Sequence, residues 1–263
     1  MLGAIVGDVV GSIYEFNNYR SKDFPLFSPN CFFTDDTVMS LAVAKALMEC
    51  KGNYNKLSKL TIKCLKEFGE IYPNLSYGNS FIGWLNSRNP QPYNSCGNGS
   101  AMRVSAVSYF AKDVEEVKKL SKLVTEVTHN HIEGIKGAEA TAVAVFLARQ
   151  GKSKSEIKNA ISCYYDLEFD YEDLKENYVF NELAQTTVPQ AIYCFLISES
   201  FEDAIRTAIS IGGDSDTLCA ITGAIAEAYY TIDEKIKLRT LSYLDERLLK
   251  LYTDFENAVN NKK

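Results

Sequence analysis

The sequence is poor in the residues that build zinc sites and disulfide frameworks. It has only two histidines in 263 residues, and no C-x-x-C pair occurs. Its seven cysteines stand singly, at positions 31, 50, 64, 96, 163, 194 and 219. Zinc clusters need closely spaced Cys and His ligands, and disulfide frameworks use an even number of cysteines. We therefore expect a reduced, cytoplasmic protein whose cysteines serve mostly as small core residues.

The sequence also lacks long apolar runs and an excess of positive charge. No run approaches the roughly 20 apolar residues that span a bilayer, and the start MLGAIVGDVVGS has no basic segment typical of a signal peptide. The net charge is -6, which argues against a protein that coats nucleic acid. We expect neither membrane association nor sequence-specific nucleic-acid binding.

The apolar residues that are present recur at three- and four-residue spacing, and clean alternation is scarce. This pattern predicts an all-α fold in a single domain over residues 1–263. Segments 17–33 and 165–180 are expected to be irregular. Helices are predicted over 2–14, 36–51, 55–70, 76–86, 100–111, 113–128, 131–150, 155–164, 181–198, 201–210, 215–230 and 233–260, the last with one break.

The first predicted helix combines a glycine face with two acids. Glycines 3, 7 and 11 fall four apart, so another backbone can pack closely on that face. Asp8 is expected to bond to a neighbouring loop. Glu15, between aromatic residues and ahead of the irregular segment, is either a mobile functional acid or a solvated helix-end carboxylate.

Two distant segments resemble each other. FTDDTVMSLAVAKAL (33–47) and GGDSDTLCAITGAIAEA (212–228) each place clustered aspartates and an Asp-Thr pair before an apolar helix. One interpretation is helix capping, because Asp and Thr satisfy free N–H groups at a helix start.

The second interpretation is a metal centre. Capping needs one side chain, whereas four carboxylates are used here, and burial of unpaired carboxylates costs several kcal/mol. Oxygen ligands from Asp and Thr suit hard cations such as Mg²⁺ or Mn²⁺. Four carboxylates would balance two divalent ions, which lie about 3.5–4 Å apart in two-metal sites. Charge balance favours this hypothesis over capping.

Two further segments are candidates for ligand binding. NSCGNGSAMRVSAV (94–107) puts glycines before a helix, where N–H groups can hold an anion, or where they form an ordinary turn. THNH (128–131) holds both histidines at i, i+2 spacing, which disfavours joint metal ligation. A single histidine there is a ligand contact or a structural hydrogen-bonding residue.

Together, GDVVGSIYE, TDDT, GNGSAMR, THNH and GGDSDT resemble the ADP-ribosylglycohydrolase family, in the family's order. The resemblance implies a compact, orthogonal all-α bundle with two Mg²⁺ or Mn²⁺ ions at the bottom of an ADP-ribose cleft. It also implies these site residues: metal ligands Thr34, Asp35, Asp36, Asp214, Asp216 and Thr217; catalytic acids or bases Glu15 and Asp35; substrate contacts Ser95, Gly97, Asn98, Gly99, Met102 and His129.

One departure concerns adenine binding. Many relatives have an aromatic residue where this chain has Cys96, so another ring must stack on the base. Tyr93, Trp84 and Phe81 are the candidates, and the sequence does not choose among them.

The resemblance implies hydrolysis of the bond between ADP-ribose and an acceptor, which reverses mono-ADP-ribosylation of a protein or another substrate. Arginine is the first choice of acceptor and serine is another. The alternatives are a non-catalytic ADP-ribose-binding protein, a structural protein of the crystallin type, and a metal-dependent phosphohydrolase.

Overall fold

The computed structural model describes residues 1–261 and confirms the all-α prediction. Within these residues the only extended pairing is an isolated bridge between Gly97 and Leu183. A short 3₁₀ helix covers Tyr54–Lys56. The α-helices are α1 Leu2–Gly11, α2 Asp35–Glu49, α3 Leu57–Ile71, α4 Asn79–Asn86, α5 Gly99–Met102, α6 Val107–Phe110, α7 Val114–Thr125, α8 Ile132–Arg149, α9 Lys154–Ile161, α10 Tyr171–Asn177, α11 Ala184–Ile197, α12 Phe201–Ser210, α13 Ser215–Tyr229, α14 Glu234–Leu241 and α15 Glu246–Asn260.

Three predicted segments were wrong in detail. Helix α1 ends at Gly11 rather than at residue 14, because the hydroxyl of Ser12 donates to the carbonyl of Val9 and accepts from Phe32 N–H. The predicted helix over 100–111 is two short helices, α5 and α6. The segment 165–180 contains α10, which is capped by Asp170.

The glycine face of α1 packs on α13, as predicted. A Cβ at Gly3 would lie 2.1 Å from the carbonyl oxygen of Gly223, and one at Gly7 would lie 1.9 Å from that of Cys219. A methyl group at either position would therefore force the two backbones apart. All ten residues of α1 are buried, so this contact fixes the end of α1 against the start of α13.

One contiguous apolar core joins these helices. Helix α13 lies at its centre, in contact with α1, α8, α11 and α12, and its residues from Ser215 to Ala226 are buried throughout. The starts of α2 and α13 meet above this core. None of the helices in residues 1–261 has the length and apolarity needed to cross a membrane.

Candidate active site

A cleft of about 370 Å³ opens over the starts of α2, α5 and α13. Every predicted site residue except Thr34 lines it. The predicted residues in its wall are Glu15, Asp35, Asp36, Ser95, Gly97, Asn98, Gly99, Met102, His129, Asp214, Asp216 and Thr217. Segments separated by about 200 positions in sequence therefore meet at one cavity.

The start of α2 is capped by residues other than its two aspartates. The hydroxyl of Thr34 accepts from Asp36 N–H at 3.3 Å and donates to the carboxylate of Asp8 at 2.7 Å. Asp8 also accepts from the backbone N–H groups of Thr34 and Thr37, at 2.9 and 3.1 Å. The predicted role of Asp8 as a structural bond to a neighbouring loop is confirmed. The side chains of Asp35 and Asp36 are not used for capping.

The start of α13 is built differently. Gly212 and Gly213 have φ of 73° and 82°, a left-handed turn that glycine adopts at little cost. A Cβ at Gly213 would also meet the ring of Tyr178 at 2.3 Å. Asp214 makes no side-chain cap bond; its carboxylate instead accepts from the amide of Asn98 at 2.7 Å.

The carboxylates of the two starts and Glu15 form one cluster. Single carboxylate oxygens of Glu15, Asp214 and Asp216 lie within 4.8 Å of one another. Across from them, the hydroxyl of Thr217 donates to Asp36 at 3.3 Å. The other oxygen of Asp36 is buried and has no hydrogen-bond partner. A convergent set of oxygens with an unpaired buried oxygen fits a hard divalent cation.

Burial and mutual repulsion raise the pKa values of four carboxyl groups in this cluster. Burial, followed by the charge of Asp216, raises the pKa of Asp35 to about 7 and that of Glu15 to about 8. The pKa values of Asp36 and Asp214 are raised well above their usual range for the same two reasons. The cluster therefore favours a cation or a proton over several bare charges.

The glycine segment 95–99 is held against the start of α11. The backbone N–H of Asn98 donates to the carbonyl of Glu182 at 2.8 Å, and that of Ala184 donates to the carbonyl of Cys96 at 2.9 Å. The hydroxyl of Ser100 donates to the carbonyl of Gly134 at 2.8 Å, which joins α5 to α8. These bonds keep the glycine segment in the wall of the cleft.

Two of the three candidate rings lie in the cleft. Phe81 and Tyr93 line it, whereas Trp84 stacks behind Phe81 with ring centroids 5.6 Å apart. Cys96 is half-buried outside the lining. Phe81 and Tyr93 are therefore the rings available to a base.

Six lining residues were missed by the sequence prediction. They are Ser76, Gly78, Asn79, Ser80, Arg103 and Glu182. The first four surround the start of α4, which has no side-chain cap, and a Gly-Asn-Ser run before a helix was the signal that could have found them. Arg103 stood inside the GNGSAMR motif. Nothing local in the sequence marks Glu182.

The fold and the cleft define an all-helical protein in which a largely buried acidic cluster and a glycine segment line one cavity. Residues 1–262 match the family model described as ADP-ribosylglycohydrolase. The chain belongs to the ADP-ribosylglycohydrolase family, whose members hydrolyse glycosidic bonds of ADP-ribose, and the predicted resemblance is confirmed.

Individual relatives agree with this assignment. The chain is 30% identical to the human ADP-ribosylhydrolase ARH3, over 89% of this chain and 85% of that protein. It is 24% identical to the ADP-ribosylarginine hydrolase Tri1 of Pseudomonas putida, over 88% of this chain and 70% of the other. A solved structure titled "ADP-ribosylglycohydrolase-related protein complex" superposes with a TM-score of 0.69 at 22% identity, covering 95% of this chain and 94% of the other. That likeness shows the shared fold.

Proposed function

We propose that the protein is a metal-dependent hydrolase that cleaves the bond between C1 of the distal ribose of ADP-ribose and an acceptor, with arginine as the preferred acceptor. One observation carries this proposal. Carboxylate oxygens of Glu15, Asp214 and Asp216 lie within 4.8 Å of one another in a cleft that Asp35 and Asp36 also line. The glycine segment and His129, which are predicted to hold the nucleotide, line the same cleft.

The residues present fit two Mg²⁺ or Mn²⁺ ions. Asp35, Asp36, Asp214 and Asp216 supply four negative charges, and Thr217 adds a hydroxyl beside Asp36. Thr34 belongs to the proposed set through its hydroxyl oxygen, although its proton is given to Asp8. Such ions supply Lewis-acid activation of water and orient the ribose hydroxyls when bound.

Within this frame, Glu15 and Asp35 are the proposed proton-transfer residues. They are only half-buried, whereas Asp36, Asp214 and Asp216 are buried. The half-buried pair can therefore exchange a proton with a water or a leaving group at C1. Water adds to C1, the C1–acceptor bond breaks, and the acceptor leaves with a proton. Neighbouring carboxylates stabilise the positive charge that develops on the sugar.

The mouth of the cleft supports arginine as the acceptor. Glu15 and Glu182 both line the cleft, and the charge of Glu182 contributes to the raised pKa of Glu15. Near them in sequence, the exposed rings of Phe16 and Phe180 are in contact, with centroids 5.7 Å apart and planes tilted by 35°. Carboxylates next to aromatic rings attract a guanidinium group.

A substrate panel tests the proposal. Mono-ADP-ribosylated arginine, serine and DNA are offered with Mg²⁺, with Mn²⁺ and with a chelator, and free ADP-ribose is measured. We expect metal-dependent release that is fastest from arginine. Glu182→Gln should slow release from arginine about threefold to tenfold and leave serine unchanged, because it removes one charge at the mouth. Glu115→Gln, at an 85% exposed side chain outside the cleft, is the matched control.

Three outcomes contradict the proposal. Binding of ADP-ribose without release from any acceptor indicates a non-catalytic binding protein. Release of phosphate in place of ADP-ribose indicates a phosphohydrolase. Full activity in the presence of chelator excludes the metal centre.

A further inference from the structure

A buried chain of hydrogen bonds runs behind the glycine segment. The guanidinium of Arg103 donates through Nη2 to the hydroxyl oxygen of Thr128 at 2.6 Å. The same oxygen lies 2.7 Å from Nδ1 of His129. The three residues are 2%, 0% and 5% exposed, so water does not replace these bonds.

Arg103 is unusual among the three residues of this hydrogen-bonded series. It makes no ion pair with a carboxylate among residues 1–261, and its Nε atom is buried without a partner. Burial lowers its pKa to about 10, which leaves the guanidinium charged at neutral pH. The guanidinium also lies over the ring of Phe81, 5.6 Å from its centroid. A buried charge with one side-chain hydrogen bond and no ion pair costs stability, so a role beyond packing would account for its presence in the cleft wall.

The direction of the bonds follows from what each group can do. A guanidinium only donates, so the Thr128 oxygen accepts from Arg103. The single proton of Thr128 then has two possible acceptors, His129 Nδ1 at 2.7 Å and the carbonyl of Thr125 at 3.4 Å. That carbonyl already accepts from the backbone N–H groups of Thr128 and His129, at 3.2 and 2.9 Å. The proton therefore goes to Nδ1.

This direction fixes the state of the imidazole. A ring that accepts at Nδ1 carries its proton on Nε2 when it is neutral. Burial, with a further contribution from Arg103, lowers the pKa of His129 well below its usual value. Nε2 lies beside the glycine segment, where a methyl group at Gly97 or Gly99 would be 3.6 Å away.

We propose that Arg103 and Thr128 are positioning residues that hold His129 as its Nε2–H tautomer, so that the ring donates a hydrogen bond to an oxygen acceptor of the bound nucleotide. The identity of the ligand rests on the proposed function, whereas the tautomer does not. In the opposite arrangement, Thr128 would donate to the carbonyl of Thr125, and Nδ1–H of His129 would donate to Thr128. Nε2 of His129 would then present a lone pair to the nucleotide, and nucleotide binding would be weaker.

The first test is the nitrogen NMR spectrum of the two histidines at neutral pH. His131 is an internal reference, because its Nδ1 accepts from the backbone N–H of Glu133 at 3.1 Å, and its signals are assigned with His131→Asn. We expect the His129 ring to show an unprotonated Nδ1 and a protonated Nε2. A protonated Nδ1 on His129 overturns the proposal, whatever the enzymatic activity.

The second test removes the connecting hydroxyl. Thr128→Val should raise the Kd for ADP-ribose and the KM about tenfold while kcat stays within about twofold, because one hydrogen bond to a substrate group is lost. Thr128→Ser should restore both values. Thr141→Val is the matched control, since Thr141 is 0% exposed and its hydroxyl has no partner.

Unchanged ADP-ribose affinity in a folded Thr128→Val variant overturns the proposal, and so does a failure of serine to rescue. If the valine variant does not fold, the NMR spectrum of the unaltered protein still tests the predicted tautomer of His129. A protein that shows the predicted tautomer but binds no ADP-ribose contradicts the proposed function, and with it the nucleotide as the partner of His129.

Discussion

The two acidic helix starts look alike in sequence, yet the structure supports them in different ways. At α2, Thr34 caps the helix and Asp8 accepts three hydrogen bonds from Thr34 and Thr37. At α13 no side-chain cap is made, and Asp214 is held from outside by Asn98.

The difference shows how each start keeps its carboxylates available. Capping at α2 is done by a separate threonine and a separate aspartate. In the first turn of α13, the N–H of Thr217 donates to Asp216 at 2.9 Å, and Asp214 makes no cap bond. Of the aspartates that face the cleft, Asp216 bonds to a first-turn N–H of its own helix, whereas Asp35, Asp36 and Asp214 make no such bond. The capping interpretation therefore fails for Asp35, Asp36 and Asp214, and the metal hypothesis is left with the better physical support.

The largest effect is expected when one aspartate is neutralised at one helix start at a time. We expect Asp36→Asn and Asp216→Asn each to lower metal-dependent kcat/KM by at least about 100-fold, because even residues that only orient a metal ligand cost about 10- to 100-fold. Circular dichroism should show an unchanged helical fold. Asp113→Asn is the control, since Asp113 caps α7 and Asn caps equally well. Near-normal turnover in either variant would exclude a centre built from both starts.

A smaller effect on stability is expected from removing the charge of Asp8, which supports the start of α2 but not that of α13. Asp8→Asn places an NH₂ group among donors that now bond to a carboxylate, so we expect a loss of about 2–3 kcal/mol in the free energy of unfolding. Urea titration in the presence of chelator measures it. The same Asp113→Asn control should change the free energy by less than about 0.5 kcal/mol. An unchanged stability for Asp8→Asn would mean that α2 does not depend on this carboxylate.

The smallest expected effect is a pH dependence that arises at the start of α2. The pKa values of Asp8 and Asp35 are raised to about 7 in the folded protein, against about 4 in an unfolded chain. Between these pH values the folded state binds more protons than the unfolded chain. The stabilisation that these two groups contribute is therefore fully present below about pH 4 and is lost as the pH rises toward 7.

The measurement is the Tm of the metal-free protein between pH 5 and pH 8. We expect it to decrease by at least about 3 °C with rising pH, and added Mg²⁺ should remove most of the decrease. A Tm that rises over this range in chelator would show that the carboxylates do not repel one another as the structure implies.

Much of the fold could be read from sequence because helix periodicity and turn residues are local signals. The glycine face of α1 and the apolar helices α2 and α13 were predicted, and α12 was predicted with its observed bounds. The boundaries that failed depend on particular bonds. Ser12 ends α1 through bonds to Val9 and Phe32, and Phe32 is too distant in sequence for periodicity to register.

The candidate site likewise contains residues that the sequence predicted and residues that it missed. Its motif residues were found because clustered aspartates and glycines are conspicuous in the chain. Glu182 and the residues around the start of α4 were missed, since they enter the cleft only after α4 and the start of α11 pack against it. Arg103 lay within a predicted motif, but the bond that its buried guanidinium donates to Thr128 depends on tertiary packing.

The helical class, the family and the residue types at the centre could be predicted from the sequence, because these depend on local pattern and on side-chain chemistry. Three relations became known from the packed structure: Thr34 and Asp8 support α2, Glu15 joins Asp214 and Asp216, and Thr128 links Arg103 to His129. Each of these relations joins side chains through space at distances of a few ångströms, and packing sets such distances whatever the spacing along the chain.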